Sequence, residues 1–333
     1  MGTIRFRGTD YLCNNGETVL QTLIRNGARI PSSCNAGVCQ ACLLQAANNT
    51  PPQKSQAGLS DAMRVQGCFM SCICALGTDE MLEVDLPGLA VRPTAPAMLV
   101  TRKALNADIF QLIFEAEMPQ AVRPGQFINL QRDSDGLTRS YSVAGICFDS
   151  IELHVRRLQD GQMSGWLTEE MQLSTMCTFQ GPNGACCYKP GNPEQTLILA
   201  GTGSGLAPLY GIVNDALAYG HIGPIHLYHG SYAPEGLYLV DELQSLCDKH
   251  TNFYYNPCAD VVQPGNRIRA SRVDTALSVD FPRPTDSRVY LCGHPAMVKS
   301  AHKKLFLAGV PLAEIFADPF VASTPTHTPP APV

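Results

Sequence analysis

The sequence predicts a multidomain protein in which an α+β domain, an antiparallel β-barrel and a parallel α/β domain follow one another. Three observations predict this order: a cluster of cysteines near the N-terminus, short alternating segments in the middle, and a strand–helix–strand pattern in the last third. A length of 333 residues fits two or three domains of roughly 100–150 residues each. The hydrophobic content of 45% is enough for buried cores, and 16% charged residues are too few for a disordered chain.

The most specific motif is a run of three cysteines spaced C-x4-C-x2-C, which a fourth cysteine follows after a longer stretch. Four thiolates at such offsets can hold two irons bridged by two sulfides. Gly37 would let the loop bend closely around such a cluster. Cys68 and Cys74 flank the fourth position, and Cys72 is preferred because the residues after it predict a turn into a last strand. The predicted ligands are Cys34, Cys39, Cys42 and Cys72.

These cysteines could also form a zinc site or be plain buried thiols, and both alternatives stay open. Zinc sites prefer two separate pairs of closely spaced ligands, whereas three of the four predicted ligands here lie in one run. The 14 cysteines are about 4% of the chain, which is below the density of disulfide-rich scaffolds. Free thiols or cluster ligands in a reducing cytoplasm are therefore expected.

The first domain is expected to span residues 1–88. An alternating segment at 4–7 predicts a strand, and the segment 17–27 predicts a helix with one apolar face, which Gly27 ends. Together with the cysteine loop, these elements resemble a plant-type ferredoxin domain, and the resemblance implies the β-grasp fold. A Pro-rich stretch over 87–96 predicts a semi-rigid linker.

A second domain is expected over residues 97–190, where short alternating segments are broken by Gly, Pro and Asp, as in an antiparallel barrel. Its clearest strands are predicted at 109–114, 126–130 and 151–155. Strand alternation would place Arg139 and Tyr141 of the Arg-Ser-Tyr-Ser segment on one face. That segment alone is also compatible with an ordinary strand. A glycine turn at 161–164 accompanies it, however, and could open a helix that faces a pyrophosphate.

The last domain, expected over residues 195–320, has a strand–helix–strand pattern. A continuous apolar run at 196–200 predicts a central parallel strand, and a loop with three alternating glycines follows it directly and opens a helix predicted from Leu209 to Ala218. Glycines in such a loop let the backbone approach a phosphate. A plain strand-to-helix turn is the alternative, but it would not need three glycines. A strand that ends in Cys-Gly and the stretch 315–320 complete the pattern.

The motifs of the last two domains, in this order, resemble the ferredoxin–NADP reductase superfamily. The resemblance implies a Greek-key barrel that binds FAD and a Rossmann-like domain that binds a pyridine nucleotide. It implies that Tyr141 stacks on the isoalloxazine, with Ser142 near its N5 and Arg139 on the pyrophosphate. It also implies that Phe320 lies against the other face of the flavin. The residues expected to be catalytic are Tyr141, Ser142, Cys292 and Phe320.

The cofactor contacts implied by this resemblance form two sets. Those for FAD are Arg139, Tyr141, Ser142, His154, Val155, Gly161, Met163, Ser164 and Phe320. Those for the nicotinamide nucleotide are Gly201, Thr202, Gly203, Gly205, Cys292 and Gly293. His154 is expected at a strand face or beside the adenine rather than at a metal, and Phe316 is expected in the core.

The sequence favours NADH over NADPH. Binding of a 2′-phosphate needs cations, usually arginine. The residues that follow the second predicted strand of the nucleotide domain, 231–235, include no cation and contain an acid, Glu235.

The three modules cover nearly the whole chain, and their order resembles the NADH-dependent reductase components of bacterial multicomponent oxygenases. The resemblance implies that hydride passes from NADH to FAD. Single electrons would continue through a [2Fe-2S] cluster to a ferredoxin or terminal oxygenase of an aromatic-ring dioxygenase system, of naphthalene or carbazole type. A soluble di-iron monooxygenase is an alternative partner. Two further classes stay open, namely a non-enzymatic iron–sulfur electron carrier or redox sensor and a zinc-stabilised flavoenzyme.

Several functions are not expected. The net charge of −5 with no basic stripe argues against a nucleic-acid partner. Neither a signal peptide nor a membrane span is predicted, so a cytoplasmic location is expected. The first domain is nearly neutral, so a protein partner is expected to dock by shape around an exposed cluster edge. The Pro-rich tail at 321–333 is expected to be disordered.

Overall fold

The structure, a computed structural model, describes residues 1–333 apart from 49, 89–92, 119, 264–267 and 322–333. By compactness the chain divides into two units. The first contains Met1–Thr94, Asn129–Ser140 and Val321, and the second contains Ala95–Ile128 and Tyr141–Phe320. Among the described residues, no helix has both the length and the apolar composition that crossing a lipid bilayer requires.

The N-terminal sheet contains five strands and carries two short helices. The strands are β1 (Thr3–Phe6), β2 (Thr9–Leu12), β3 (Leu43–Ala46), β4 (Cys68–Met70) and β5 (Met81–Asp85), and the helices are α1 (Val19–Arg25) and α2 (Asp61–Val65). The strand order is β2-β1-β5-β3-β4, with β1 antiparallel to β2 and parallel to β5. This mixed sheet with one main helix is the predicted β-grasp fold, which is confirmed.

Helix α1 shows why this part of the chain folds as it does. Thr18 caps its N-terminus, because its hydroxyl accepts from the Gln21 N–H while the Gln21 side chain accepts from the Thr18 N–H. Leu20 and Leu23 are buried in the core of the sheet. The helix is shorter than predicted because the cap sits at position 18 and Gly27, at a φ of 84°, ends it.

The middle of the chain forms a closed six-stranded barrel in the order β10-β7-β6-β11-β8-β9. Its strands are β6 (Thr94–Ala104), β7 (Ile109–Glu115), β8 (Phe127–Gln131), β9 (Thr138–Cys147), β10 (Ser150–Arg156) and β11 (Met176–Asn183). A short helix, α3 (Gln162–Gly165), follows β10 and continues as one π-helical turn. The predicted antiparallel barrel is confirmed, and its apolar alternating residues fill the interior.

The C-terminal part is a six-stranded parallel sheet in the order β15-β14-β13-β12-β16-β17. The strands are β12 (Leu197–Thr202), β13 (Ile225–Ser231), β14 (Phe253–Ala259), β15 (Arg269–Ala270), β16 (Arg288–Gly293) and β17 (Ile315–Pro319). The helices are α4 (Leu206–Ala218), α5 (Val240–Lys249), α6 (Val273–Asp280) and α7 (Pro295–Leu307). The predicted Rossmann-like architecture is confirmed.

Helix α4 begins at Leu206, three residues before the predicted start at Leu209. The glycine loop forms a 3-10 turn that leads straight into the helix, and Pro208 is tolerated because it lies in the first turn. The same helix packs tightly on the barrel within the second unit. A Cβ atom at Gly211 would lie 2.5 Å from the carbonyl oxygen of Ala144, so only glycine fits there.

Two predicted segments lie wholly or partly outside the described residues. The tail at 322–333 is outside, as are residues 89–92 of the predicted linker. Residues 94–96 of that linker are strand, because β6 starts at Thr94 and Ala95 is buried. The predicted domain limits at 88, 97, 190 and 195 stay predictions.

Candidate functional site

The cysteine loop between α1 and β3 folds around its own sulfur atoms. The backbone N–H groups of Ala36 and Cys39 point at the Sγ of Cys34, each 3.4 Å away, and the Cys34 N–H points at the Sγ of Cys39 at 3.4 Å. Backbone N–H groups arranged in this way stabilise negative sulfur. The loop is therefore built to carry thiolates.

The four predicted ligands form two pairs of thiols. The Cys39 thiol hydrogen-bonds to Cys34 and lowers the pKa of Cys34, while the pKa of Cys39 rises. Cys72 does the same for Cys42, whose pKa falls while that of Cys72 rises. Cys34 also interacts electrostatically with Cys42 and Cys72, so the two pairs are neighbours.

This pairing fits a two-iron cluster better than a single zinc ion. In a [2Fe-2S] cluster each iron takes two protein thiolates, whereas a zinc ion needs about four ligands converging on one point. The flanking thiols of Cys68 and Cys74 join neither pair, and burial alone is the main cause of their raised pKa.

Gly37 brings the loop onto the segment that carries the fourth cysteine. Its φ is 73°, and a Cβ atom there would lie 2.6 Å from the Cδ1 of Ile73. The Gly37 N–H also hydrogen-bonds to Cys72 and thereby favours its thiolate form. A side chain at position 37 would separate the two halves of the cluster site.

Strand β9 carries the predicted flavin contacts. Arg139, Tyr141 and Ser142 are all half-buried, and the guanidinium of Arg139 donates to the Thr138 carbonyl oxygen at 2.7 Å. The Ser142 hydroxyl donates to Oδ2 of Asp318 at 2.8 Å. This bond joins the barrel strand to β17 of the parallel sheet within the second unit.

Asp318 is a candidate site residue that the sequence analysis missed. Burial raises the pKa of its carboxyl to about 6, although the Ser142 hydroxyl acts in the opposite direction. In the strand register Asp318 lies opposite Cys292, and Cys292 lies opposite Gly201 of the glycine loop. The only sequence signal was an acid two positions before the predicted flavin-stacking aromatic.

Replacement of Asp318 by asparagine is expected to stabilise the protein at alkaline pH. A carboxyl whose folded-state pKa is raised favours folding below its ordinary pKa of 3.8, and this contribution is lost as pH rises through about 6. At pH 8 the free energy of unfolding of Asp318→Asn should therefore exceed that of the wild type, by at most on the order of 3 kcal/mol. At pH 4 the two should be nearly equal. Urea unfolding at both pH values measures this.

The control for that comparison is Asp149→Asn, which changes an exposed aspartate. This control variant should show the same change in the free energy of unfolding between pH 4 and pH 8 as the wild type. An Asp318→Asn protein that is less stable than the wild type at pH 8 would show that the carboxylate is held by partners other than Ser142.

The glycine loop and the end of β16 pack against each other without side chains between them. A Cβ atom at Gly205 would lie 2.4 Å from the Cys292 carbonyl oxygen, and one at Gly293 would lie 2.6 Å from the Thr202 carbonyl oxygen. The hydroxyl of Thr202 accepts from the His294 N–H at 3.1 Å. The loop therefore lies at the carboxyl edge of the sheet, directly after β12, where nucleotides bind in open α/β sheets.

Cys292 is buried and has a second cysteine beside it. Its Sγ lies 3.7 Å from the Sγ of Cys186, and burial together with that neighbour raises the pKa of Cys292. The Cys292 thiol is therefore neutral at physiological pH. It can supply shape and polarisability beside a nicotinamide, but not a nucleophilic thiolate.

The two C-terminal phenylalanines are placed differently from each other. The Phe320 N–H donates to the Gly293 carbonyl oxygen at 2.8 Å, which fixes its backbone beside β16. Phe316, predicted as a core residue, is half-buried and packs against the core of the parallel sheet. It stacks on Tyr290, and the ammonium of Lys189 lies over its ring.

The side chains of the remaining predicted flavin contacts already bond to or pack against other groups of the protein. The ring nitrogens of His154 contact Glu152 at 2.8 Å and the Tyr238 hydroxyl at 3.3 Å. Ser164 accepts from the Leu158 N–H at 3.1 Å and thereby braces the turn that begins at Gly161. The side chains of Val155 and Met163 are buried. These residues can therefore meet a flavin through their backbone.

Comparison with known proteins matches the three parts of the chain in the same order. The family models are a 2Fe-2S iron–sulfur cluster binding domain over residues 3–77, an oxidoreductase FAD-binding domain over 96–188, and an oxidoreductase NAD-binding domain over 199–303. The chain belongs to the ferredoxin–NADP reductase superfamily, in the branch that carries an N-terminal [2Fe-2S] domain. Its cofactors are a [2Fe-2S] cluster, FAD and NADH.

Relatives of this reductase match it over nearly their whole length. The reductase subunit of an aromatic O-demethylase from Amycolatopsis sp. is 29% identical, over 87% of this chain and 90% of the relative. A ferredoxin–NAD(P)(+) reductase component of naphthalene 1,2-dioxygenase/salicylate 5-hydroxylase systems from Ralstonia sp. is 28% identical, over 92% and 94%. The crystal structure of the Amycolatopsis cytochrome P450 reductase GcoB superposes with a TM-score of 0.68 at 26% identity, covering 96% of this chain and 99% of that one.

Proposed function

We propose that this reductase takes hydride from NADH onto FAD and passes the electrons singly through its [2Fe-2S] cluster to a protein acceptor of an oxygenase that acts on aromatic compounds. The observation that carries the proposal is the presence of all three cofactor modules in one chain. A nicotinamide gives two electrons together and an iron–sulfur cluster takes one, so a flavin between them is required because it can do both.

The residues of the chain contribute binding and orientation to this reaction. The glycine loop and Cys292-Gly293 would hold the nicotinamide ribose and ring near β9, with Tyr141 and Phe320 offering flat faces to the flavin. Arg139 suits the pyrophosphate because a guanidinium fork matches phosphate oxygens. The Ser142 hydroxyl donates to Asp318, so its oxygen would remain available to accept a hydrogen bond from the N–H of the reduced flavin.

The cluster would be held by Cys34 and Cys39 on one iron and by Cys42 and Cys72 on the other. This assignment follows the two thiol pairs. The loop N–H groups that face the sulfur atoms would stabilise the reduced, more negative cluster.

For the acceptor we favour an aromatic-ring dioxygenase system, reached directly or through a separate ferredoxin. The electron-transfer component of a toluate 1,2-dioxygenase from Pseudomonas putida is 28% identical to this chain, over 93% of this chain and 94% of the relative. A monooxygenase partner is the second candidate, because the phenol hydroxylase P5 protein from Acinetobacter pittii is 25% identical over 96%.

The decisive experiment is to purify the protein anaerobically, to measure FAD, iron and acid-labile sulfide, and to follow acceptor reduction with NADH. One FAD, two irons and two sulfides per chain are expected for the proposed cofactors. NADH-dependent reduction of cytochrome c and of purified dioxygenase and di-iron monooxygenase components then ranks the acceptors. A protein with full FAD but no iron would reject the proposal, and so would one that reduces neither cytochrome c nor ferricyanide.

The nucleotide edge of the sheet carries acids that disfavour NADPH. Asp260 follows β14 directly, is exposed, and donates its N–H to the Ser231 carbonyl oxygen at 3.3 Å. Glu235 is exposed nearby in the chain. Among the described residues between β14 and α6, Arg269 and Arg272 are the arginines, and each pairs with an aspartate. A 2′-phosphate at this edge would therefore meet negative charge.

We expect kcat/KM with NADH to exceed kcat/KM with NADPH by at least about tenfold. Asp260→Asn should reduce this NADH-to-NADPH ratio about fivefold, because it removes a surface negative charge that repels the 2′-phosphate. Steady-state kinetics with both nucleotides measure this, and Asp241→Asn, an exposed acid at the start of α5, serves as control. A higher kcat/KM with NADPH in the wild type would contradict the assignment of the nucleotide.

A further inference from the structure

We propose that Asn129 is a positioning residue for electron transfer from the flavin to the cluster, an inference that rests on the proposed function. Its Nδ2 donates to the backbone carbonyl oxygen of Cys39 at 3.2 Å, and its Oδ1 accepts from the Ser140 hydroxyl at 2.7 Å. All three residues belong to the first unit. One amide thus links a predicted cluster ligand to the residue that precedes Tyr141, a predicted flavin contact.

The position of Asn129 on β8 makes a polar side chain there unusual. The residue is 2% exposed, and its neighbours Ile128 and Leu130 are fully buried. An apolar side chain would serve a barrel strand at lower cost, because burial of an amide is unfavourable unless its hydrogen bonds are made. Here the amide donates through one end and accepts through the other, so its orientation is fixed.

A second contact ties the cysteine loop to the other predicted flavin segment. Val321 follows Phe320 directly in the chain and packs against the buried cluster of Cys34, Cys39 and Ala41. Val321 also belongs to the first unit. Ser140 and Val321 each neighbour a predicted flavin contact in the chain. Ser140 is linked to Cys39 through Asn129, and Val321 packs against the cluster that contains Cys39.

The two hydrogen bonds of Asn129 affect both the position of the cysteine loop and the path of electron transfer. The loop around Cys39 lies at the surface with Ala36 and Val38 exposed, so a bond from a residue outside the loop adds to what fixes its position. The amide of Asn129 holds the Cys39 carbonyl in place and supplies a bonded route of two hydrogen bonds from Ser140 to the ligand backbone. Networks of this kind fix the orientation of metal ligands.

Electron transfer from the flavin to the cluster neither forms nor breaks a bond to the protein. NADH supplies two electrons as hydride to the flavin. One electron then leaves the reduced flavin, and one ferric iron of the cluster becomes ferrous. The second electron follows after the cluster has passed the first to the acceptor, and the proton on the flavin is released to solvent.

The test compares Asn129→Leu, Ser140→Ala and the wild type. Asn129→Leu keeps the number and branching of the side-chain heavy atoms and removes both hydrogen bonds, whereas Ser140→Ala removes one and leaves the donation to Cys39. Stopped-flow absorbance gives the rate of flavin reduction by NADH, and freeze-quenched EPR gives the rate at which the reduced cluster appears. An EPR redox titration with dithionite gives the cluster potential without NADH.

We expect cluster reduction to slow about tenfold in Asn129→Leu, as is usual when a residue supporting a metal ligand is lost. Ser140→Ala should slow it by about two- to threefold, since one neutral hydrogen bond is lost. Flavin reduction should be unchanged in both. A matched control is Asn252→Leu, because the Asn252 amide also donates to backbone carbonyls, those of His221 and Gly223, but lies in the nucleotide domain. It should leave cluster reduction unchanged.

Each result decides the proposal. Cluster reduction at the wild-type rate in an iron-replete Asn129→Leu protein would overturn it. If Asn129→Leu fails to load iron, the Ser140→Ala protein decides, and a wild-type rate there overturns the proposal as well. A slower rate that follows entirely from a shifted cluster potential would assign Asn129 to tuning rather than positioning and would also overturn it. Failure of the wild type to load iron, or to pass electrons from NADH to it, would instead reject the proposed function.

Discussion

Replacing Cys42 with serine is expected to remove the [2Fe-2S] cluster and to lower NADH-dependent reduction of a protein acceptor by at least about 100-fold. Cys42 forms one of the two thiol pairs with Cys72, and the iron held by that pair would lose a ligand. Flavin reduction by NADH and electron transfer to ferricyanide should persist, because both use the second unit. Iron and sulfide assays, EPR and acceptor kinetics measure the effect.

The matched controls are the cysteines that flank the fourth ligand. Cys68 and Cys74 are buried but belong to neither thiol pair. Cys68→Ser and Cys74→Ser are therefore expected to lose some stability and to keep the cluster. If Cys74→Ser loses the cluster and Cys72→Ser keeps it, the fourth ligand has been assigned to the wrong cysteine.

Replacing Ser142 with alanine is expected to slow flavin reduction by NADH about 100-fold, the usual effect of removing one hydrogen-bonding group at a reacting centre. The hydroxyl donates to Asp318, so its oxygen would be free to accept a hydrogen bond from the N–H that flavin N5 gains as hydride arrives. Removal of the hydroxyl also leaves the buried carboxyl without that donor. Stopped-flow measurement of flavin reduction under anaerobic conditions gives the rate, and Ser142→Thr, which restores a hydroxyl, should recover part of it.

The control for Ser142 is a second serine–aspartate pair in the same unit. The Ser300 hydroxyl donates to Oδ2 of Asp274 at 2.6 Å, where it joins α7 to α6. Ser300→Ala should reduce the free energy of unfolding by about 1 kcal/mol and leave flavin reduction unchanged. Equal slowing in both variants would mean that the Ser142 effect is structural.

The local motifs could be predicted from the sequence because their spacing alone determines their chemistry. The C-x4-C-x2-C run brings Cys34 and Cys39 together within one loop, and the glycine loop follows its strand directly. The fold class was equally accessible, since alternating segments and a continuous apolar strand indicate different sheets.

The residues that connect distant segments could not be predicted. Ser142 and Asp318 are 176 positions apart, Cys186 and Cys292 are 106 apart, and Asn129 and Cys39 are 90 apart. Periodicity reports which face of an element is buried, but not which partner a buried polar group meets. The start of α4 was misplaced for a related reason, because the 3-10 turn before it has no signal beyond its glycines.

The close approach of α4 to the barrel at Gly211 limits how this reductase can be re-engineered. The barrel and the parallel-sheet domain, which match the FAD-binding and NAD-binding family models, meet at a contact that leaves room for a hydrogen atom and nothing larger. Grafting a nucleotide domain from a relative onto this barrel would therefore succeed only if the graft brings its own matching helix surface. Coenzyme preference is better altered by exchanging side chains at the sheet edge than by exchanging domains.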